Sequence, residues 1–194
     1  MSSTGVQHDL LDWVRAALGS WPTYDAGQAR LRADYLAHLA EHPDALWREG
    51  PPAHLTASAF VVDAARRNVL LTLHRKGGFW VQFGGHLEPD DVTLSGAALR
   101  EAVEESGING LSVIGPADLH RHELPPTFGR CREHLDAAYL VQAPYAARPV
   151  VSSESLDVAW WPVDALPDGV VPDLPERLAR VLGRNPGRGV DPRA

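Results

Sequence analysis

The sequence holds a single cysteine, Cys131, so no disulfide can form within the chain. That suits a reducing compartment, where free thiols persist. No segment approaches the ~18 consecutive apolar residues of a membrane-spanning helix. The opening stretch, MSSTGVQHDLLDWVRAALG, lacks the basic start and uninterrupted apolar run of a secretory signal. Positive charge is also in short supply. Eighteen Lys and Arg stand against 25 Asp and Glu, for a net charge of -7 over 194 residues. A chain of that balance is no electrostatic magnet for nucleic acid or anionic membrane. An anionic ligand would have to be met locally, by a few arginines or by a metal ion. These absences lead us to expect a cytoplasmic globular protein, and 44% hydrophobic residues are enough for a sizeable core.

The hydrophobic period divides the chain. Leu10, Leu11, Val14 and Leu18 recur at helical spacing, and so do Leu31, Tyr35, Leu36 and Leu39 after a cap at Thr23 or Asp25. Residues 1–52 therefore read as a helical extension for packing or for dimerisation. From His54 the period shortens. Leu55–Val62 and Asn68–His74 form a hairpin pattern, and residues 79–83 make a third short strand. A helix is expected over 93–107, capped by Asp91 or Thr93 and stopped by Gly107. Strand-like runs follow at 111–115, 118–124, 134–143 and 156–163, and a last helix at about 175–182. The Gly-, Pro- and Arg-rich residues 185–194 read as a flexible tail. Strands bracketing one central helix predict an α+β fold, a mixed sheet with helices on its faces.

The central helix breaks local rules. Glu101, Glu104 and Glu105 stand at i, i+3 and i+4 and share one face. They lie toward the helix C-terminus, where the dipole disfavours negative charge. Leu99 and Val103 are expected on the opposite side, against the sheet. Clustered carboxylates either form a solvated acidic face, with Arg100 pairing to Glu104, or hold a cation. A hard divalent ion such as Mg²⁺ or Mn²⁺ suits carboxylate and carbonyl oxygens. The preceding Gly84-Gly85 allows backbone to approach a ligand closely.

With that loop in view, the stretch GGHLEPDDVTLSGAALREAVEESGI resembles the Nudix box. In that pattern a Gly is followed by five residues, a Glu, seven more residues and then Arg-Glu-apolar-any-Glu-Glu-any-Gly-apolar. The second half matches at Arg100, Glu101, Ala102, Glu104, Glu105, Gly107 and Ile108. The first half departs from it. Counting from Gly85, Asp91 takes the Glu position, and eight residues rather than seven separate it from Arg100. The segments EHLDAAYLV and ESLDVAWWPVDALP are similar to strands of Nudix domains, so the resemblance covers residues 53–184.

The resemblance implies an α/β/α sandwich and a Mg²⁺- or Mn²⁺-dependent hydrolase. Its substrate would be a nucleoside diphosphate linked to another group: a nucleoside triphosphate, ADP-ribose or a sugar nucleotide. Glu101, Glu104, Glu105 and the Gly85 carbonyl would ligate metal, and Arg100 would orient the glutamates. The base would be Glu104 or Glu105, with Glu133, Asp136 and Glu154 as further candidates. Arg75, Trp80 and Gln82 lie where a substrate pocket would open, and Asp136 shares a strand face with His134. Arg75 and Trp80 equally suit a solvated charge and a core aromatic. Two other functions use this architecture. A non-catalytic binding module commonly loses box glutamates, which are kept here. An isopentenyl-diphosphate isomerase calls for a cysteine before the box, and there is none. His120, His122, Cys131 and His134 suggest a zinc set, but their spacing is looser than paired zinc ligands usually show.

Overall fold

The computed structural model describes residues 3–153 and 155–183. The candidate base Glu154 and the 185–194 tail lie outside the described residues. Four helices, α1 (Ser3–Gly19), α2 (Ala26–Glu41), α3 (Leu94–Ser106) and α4 (Leu174–Val181), surround seven strands. The strands are β1 (Ala53–Val62), β2 (Asn68–His74), β3 (Trp80–Val81), β4 (Phe83–His86), β5 (Ser112–Glu123), β6 (Glu133–Gln142) and β7 (Ser155–Pro162). No helix among the described residues is long and apolar enough to cross a membrane.

One mixed sheet runs β3-β2-β1-β6-β5, with β4 added to β1 and β7 to β2. β1 and β6 pair in parallel along their whole length, from Ala53↔Glu133 to Val62↔Gln142. The expected β1–β2 hairpin forms but is brief. The two strands pair only at Val61↔Leu70 and Val62↔Val69, then splay apart. The third short strand fills the gap and breaks in two at Gln82. β3 pairs with the far end of β2, while β4 pairs with the near half of β1, placing Gly84 opposite Ser58 and Gly85 opposite Ala57. This wedge carries the two glycines into the middle of the sheet.

Alternation sorts the faces. Leu55, Ala57, Ala59 and Val61 of β1 and Leu135, Ala137, Tyr139 and Val141 of β6 enter the larger core with α1, α2 and α3. Phe60, Val62, Ala138 and Leu140 face the other way, toward Leu174 and Leu178 of α4. The sandwich of helices, sheet and helix thus forms as expected. The expected strands 111–115 and 118–124 are instead one strand, β5. Its register shifts at Val113/Gly115 and Pro116/Asp118 absorb Pro116, which has no N–H to donate and is tolerated on an edge. Leu99 and Val103 pack against the larger core as expected, but smaller residues form the most buried face of α3. Leu94, Ala97, Ala98, Ala102 and Ser106 are buried, while Leu99 and Val103 are only half-buried, because small residues let the helix sit close on the sheet.

The N-terminal helices belong to this same core. Leu10, Leu11, Val14, Leu18, Tyr35 and Leu39 are buried in it. The Gln28 amide donates to the Leu119 carbonyl (2.9 Å) and accepts from the Leu119 amide (2.9 Å), satisfying backbone on edge strand β5. The Tyr35 hydroxyl donates to the His120 carbonyl at 2.8 Å.

Beneath α4 lies a buried ionic network. Arg177, 3% exposed, donates to Asp118 (2.7 Å) and Asp136 (2.9 Å) and lies over the Phe60 ring. Asp136 also accepts from the Thr56 and Ser58 hydroxyls at 3.2 and 2.7 Å. Removing one member of such a network leaves buried charge uncompensated. Arg177→Met is therefore expected to destabilise the protein by about 3–5 kcal/mol in urea unfolding. Arg180→Met, which removes a partly exposed partner of Asp118, is expected to lose only about 1 kcal/mol.

Candidate functional site

The segment between β4 and α3 positions the acidic cluster. Thr93 caps α3 by accepting from the Gly96 amide, and Gly107 closes it in a left-handed conformation with φ 66°. Between strand and helix, Asp91 is 7% exposed and accepts from the Glu88 amide at 2.8 Å. The loop therefore folds around an inward-pointing carboxylate.

That carboxylate is bound by Arg100. Arg100 Nε donates to Asp91 Oδ1 at 3.1 Å and Nη2 to Asp91 Oδ2 at 3.0 Å, a two-point pairing. Nη2 also reaches the His86 carbonyl at 3.0 Å. Nη1 donates to Glu101 at 2.9 Å and to Glu104 at 3.2 Å. One guanidinium thus joins the end of β4, the loop and two of the three glutamates. Burial works against its charge, but the bonds to Asp91 and Glu101 outweigh burial and hold it protonated more firmly than an ordinary arginine. Asp91, the shorter acid at the motif's glutamate position, thus reaches Arg100 across the longer loop, in which the adjacent Val92 is exposed.

The glutamates differ in surroundings. The Glu101 side chain is 15% exposed and that of Glu104 57%. Burial, with repulsion from Glu104 and Glu88, pushes the Glu101 carboxyl up to about 7, against the lowering effect of Arg100. Glu105 accepts from the Gly84 amide at 3.2 Å. Gly85 faces Glu101 so closely that a Cβ there would stand 2.5 Å from the carboxylate. A side chain here would push the Glu101 carboxylate from its present position. Glu101 and Glu104 thus meet at Arg100 while Glu105 binds the strand that faces Glu101, and carboxylate and carbonyl oxygens are the donors a hard divalent ion prefers.

The other expected site residues are placed elsewhere. Arg75 donates to the carbonyls of Ser153 and Ser155 at 2.9 and 2.7 Å, tying β2 to β7 rather than facing a ligand. Trp80 is 9% exposed and packs edge-on against Trp161 in the core under α4. Asp136, 2% exposed, is committed to Arg177, Thr56 and Ser58. These three are corrections to the expected pocket rim: sequence spacing showed the strand faces but not the helix that covers one of them. Glu133 is paired with Arg121 at 2.6 Å. Gln82 sits at the β3–β4 break, on the strand face shared with Gly84, and its Oε1 is buried without a partner.

Sequence spacing also missed a second constellation. Cys131 and His134 do meet, and it is His54 and His86 that complete the group of converging ligand atoms; His122 lies edge-on against His134, with ring centroids 5.2 Å apart, but stays outside that group. His120 turns instead toward Asp173, at 3.5 Å. Burial and neighbouring histidines push His86 down to about 4 and His134 to about 3, so both rings are neutral near pH 7.

Comparison with known proteins gives the same picture. The model of the NUDIX domain family matches residues 52–182. A NUDIX-family hydrolase from Clostridium perfringens shares 25% identity, covering 64% of this chain and 95% of that one, with a TM-score of 0.50. The E. coli dihydroneopterin triphosphate pyrophosphohydrolase superimposes with a TM-score of 0.57 at 18% identity, over 66% of this chain and 95% of its own. A C. elegans Ap4A hydrolase does so with a TM-score of 0.56 at 18% identity, with the same coverage. No curated protein matches the chain.

If Asp91 holds Arg100 and through it the glutamates, Asp91→Asn should weaken Mn²⁺ binding by about 10–100-fold. Titration calorimetry would measure this, and an unchanged far-ultraviolet circular dichroism spectrum would confirm that α3 persists.

Proposed function

The chain belongs to the Nudix family, and from that premise we propose that it is a Mg²⁺- or Mn²⁺-dependent pyrophosphohydrolase. Its substrate is a nucleoside diphosphate linked to another group, of the nucleoside triphosphate, ADP-ribose or sugar-nucleotide type. The observation that carries this reading is the gathering of Glu101, Glu104 and Glu105 around Arg100 and the Gly84-Gly85 strand. The metal would be held by the three glutamates and the Gly85 carbonyl. Bound there, it supplies positive charge to the phosphate oxygens and lowers the pKa of the attacking water.

The chain's own groups do the rest. Arg100 fixes Glu101 and Glu104 by charge-assisted hydrogen bonds and is itself fixed by Asp91. One carboxylate accepts the water's proton as the new P–O bond forms and the bridging P–O bond breaks, its oxygen leaving with the departing phosphate group. Among the described candidates, Glu133 and Asp136 are engaged in ion pairs. Glu104, though it too is paired with Arg100, is exposed and lies on the α3 face with Glu101, and Glu105 lies beside Gly84, which supports one of these two as the base. Gln82, with its unpartnered buried oxygen, is the side chain we assign to substrate recognition. The same reading places the protein in the cytoplasm, where its one thiol stays free, acting on a small molecule rather than on nucleic acid, as its net charge of -7 favours.

The test is a screen of nucleoside diphosphate derivatives with Mg²⁺, identifying the products. Glu104→Gln and Glu105→Gln are each expected to lower kcat by at least about 100-fold. In the metal-free protein their melting temperatures should stay the same or rise, since like-charge repulsion is relieved. Binding without turnover across the screen would overturn the hydrolase reading in favour of a binding module. A marked loss of metal-free stability in both variants would show that the cluster serves the fold instead.

A further inference from the structure

Three histidines and the only cysteine meet at one end of the sheet, apart from the glutamates. His54 and His134 stand near the starts of β1 and β6 and are register partners across the parallel pair. His86 ends β4 opposite Thr56, two residues along on the same face. Cys131 comes from the segment joining β5 to β6, held against the start of β1 by bonds from the Arg132 and Glu133 amides to the Pro52 carbonyl. One ligand atom from each residue lies within 4.8 Å of all the others.

The hydrogen bonding of this group is incomplete in a particular way. His54 is fully buried, and its Nδ1 lies 3.0 Å from the Pro51 carbonyl. A carbonyl can only accept, so Nδ1 carries the proton and Nε2 presents a lone pair. Without a metal that lone pair accepts from His86 Nε2–H at 3.1 Å, a bond that ligation would replace by moving the His86 proton to Nδ1. His134 Nε2 is buried and has no hydrogen-bond partner. Cys131 is 4% exposed and free. A ring nitrogen bonded to a backbone carbonyl while the other aims at a shared point is the second-sphere arrangement of a metal-binding histidine.

We propose that His54, His86, His134 and Cys131 bind a structural Zn²⁺ ion, a second metal site independent of the hydrolase assignment. Three imidazoles and one thiolate are borderline-soft ligands that suit zinc and not magnesium. In tetrahedral zinc with bonds of about 2.0–2.3 Å, neighbouring ligand atoms stand roughly 3.3–3.8 Å apart. Closing from the observed spread needs side-chain movement of only about 1 Å. Four protein ligands leave no open position for water, which makes the site structural rather than hydrolytic. Binding releases the Cys131 thiol proton to solvent. The ion would join β1, β4, β6 and the 124–132 segment. Because the His86 carbonyl receives Arg100 Nη2, it would also fix the strand on which the acidic site rests.

The test is elemental analysis of untagged protein purified without metal-affinity resin and dialysed, with Cys131→Ser and Glu104→Gln prepared in parallel. About one zinc per chain is expected in the wild type and in Glu104→Gln, and close to none in Cys131→Ser. Replacing zinc with Co²⁺ in the wild-type protein should give the intense visible bands of tetrahedral cobalt and a thiolate charge-transfer band. This readout stands even if the cysteine variant fails to fold. Chelation should lower the melting temperature of the wild type. Metal-free wild-type protein that takes up no zinc, or zinc retained in Cys131→Ser but lost in Glu104→Gln, would overturn the proposal. So would a cobalt spectrum of octahedral, thiolate-free form.

Discussion

The acidic site depends on how one guanidinium is satisfied. Arg100 is joined to both oxygens of Asp91, to the His86 carbonyl, and to Glu101 and Glu104. Each buried charge-assisted bond is worth about 1.5–3 kcal/mol, less where Glu104 is open to water. Together they join three pieces of chain that have no other reason to share a geometry: the last residue of β4, the polar loop, and the middle of α3. Arg100 also makes the carboxylate crowding tolerable, since Nη1 lies between Glu101 and Glu104. The compensation is partial. Glu101 is still pushed up to about 7, chiefly by its burial and secondarily by the neighbouring Glu104 and Glu88 carboxylates.

The sheet prepares the ground for this arrangement. β1 pairs in parallel with β6 along its full length, which fixes it at the centre. It pairs with β2 at only two positions, and the resulting gap admits β4. β4 can enter because Gly84 has no side chain to strike β1, and Gly85 leaves room for the Glu101 carboxylate. A Cβ at Gly84 would lie 2.6 Å from that of Ser58, and one at Gly85 would strike Glu101. The small-residue face of α3 brings the helix down onto the same place. Local sequence choices and global topology thus favour the same arrangement, the consistency expected of a sequence that specifies a single structure.

Much of this was legible in the sequence. Helix caps, strand alternation and the i, i+3, i+4 acids are short-range patterns, so α3, β1 and β6 and the glutamate cluster could be read directly. What could not be read involved long-range pairing or coverage. Asp136 alternates with His134 as a cleft residue would, but α4 and Arg177, some forty residues later in sequence, bury it. Trp80 stood equally well as base platform or core, and the Trp161 contact decided it. The role of Asp91 was invisible because the loop is one residue longer than the motif. Only its folded path shows that the shorter acid still reaches Arg100. Likewise, the four residues of the histidine–cysteine group come from separate stretches, and only the β1–β4 and β1–β6 registers bring them together.

The two constellations are kept apart by ligand chemistry as well as by position. At the glutamates every donor is a hard oxygen; at the histidine group every donor is nitrogen or sulfur. Borderline metals bind most N- and S-containing sites more tightly than magnesium does, so a protein that uses both ions discriminates by donor type and geometry. His86 stands at the boundary. Its ring faces the histidine group, while its carbonyl accepts from Arg100. A change in the ring's position is therefore transmitted through one peptide unit to the residue that aligns the acids. Metal ligation at the ring side would stiffen that unit without adding any charge or ligand to the acidic side. The sheet would thereby separate the two proposed sites, the nitrogen and sulfur ligands on one side of β4 and the carboxylates on the other.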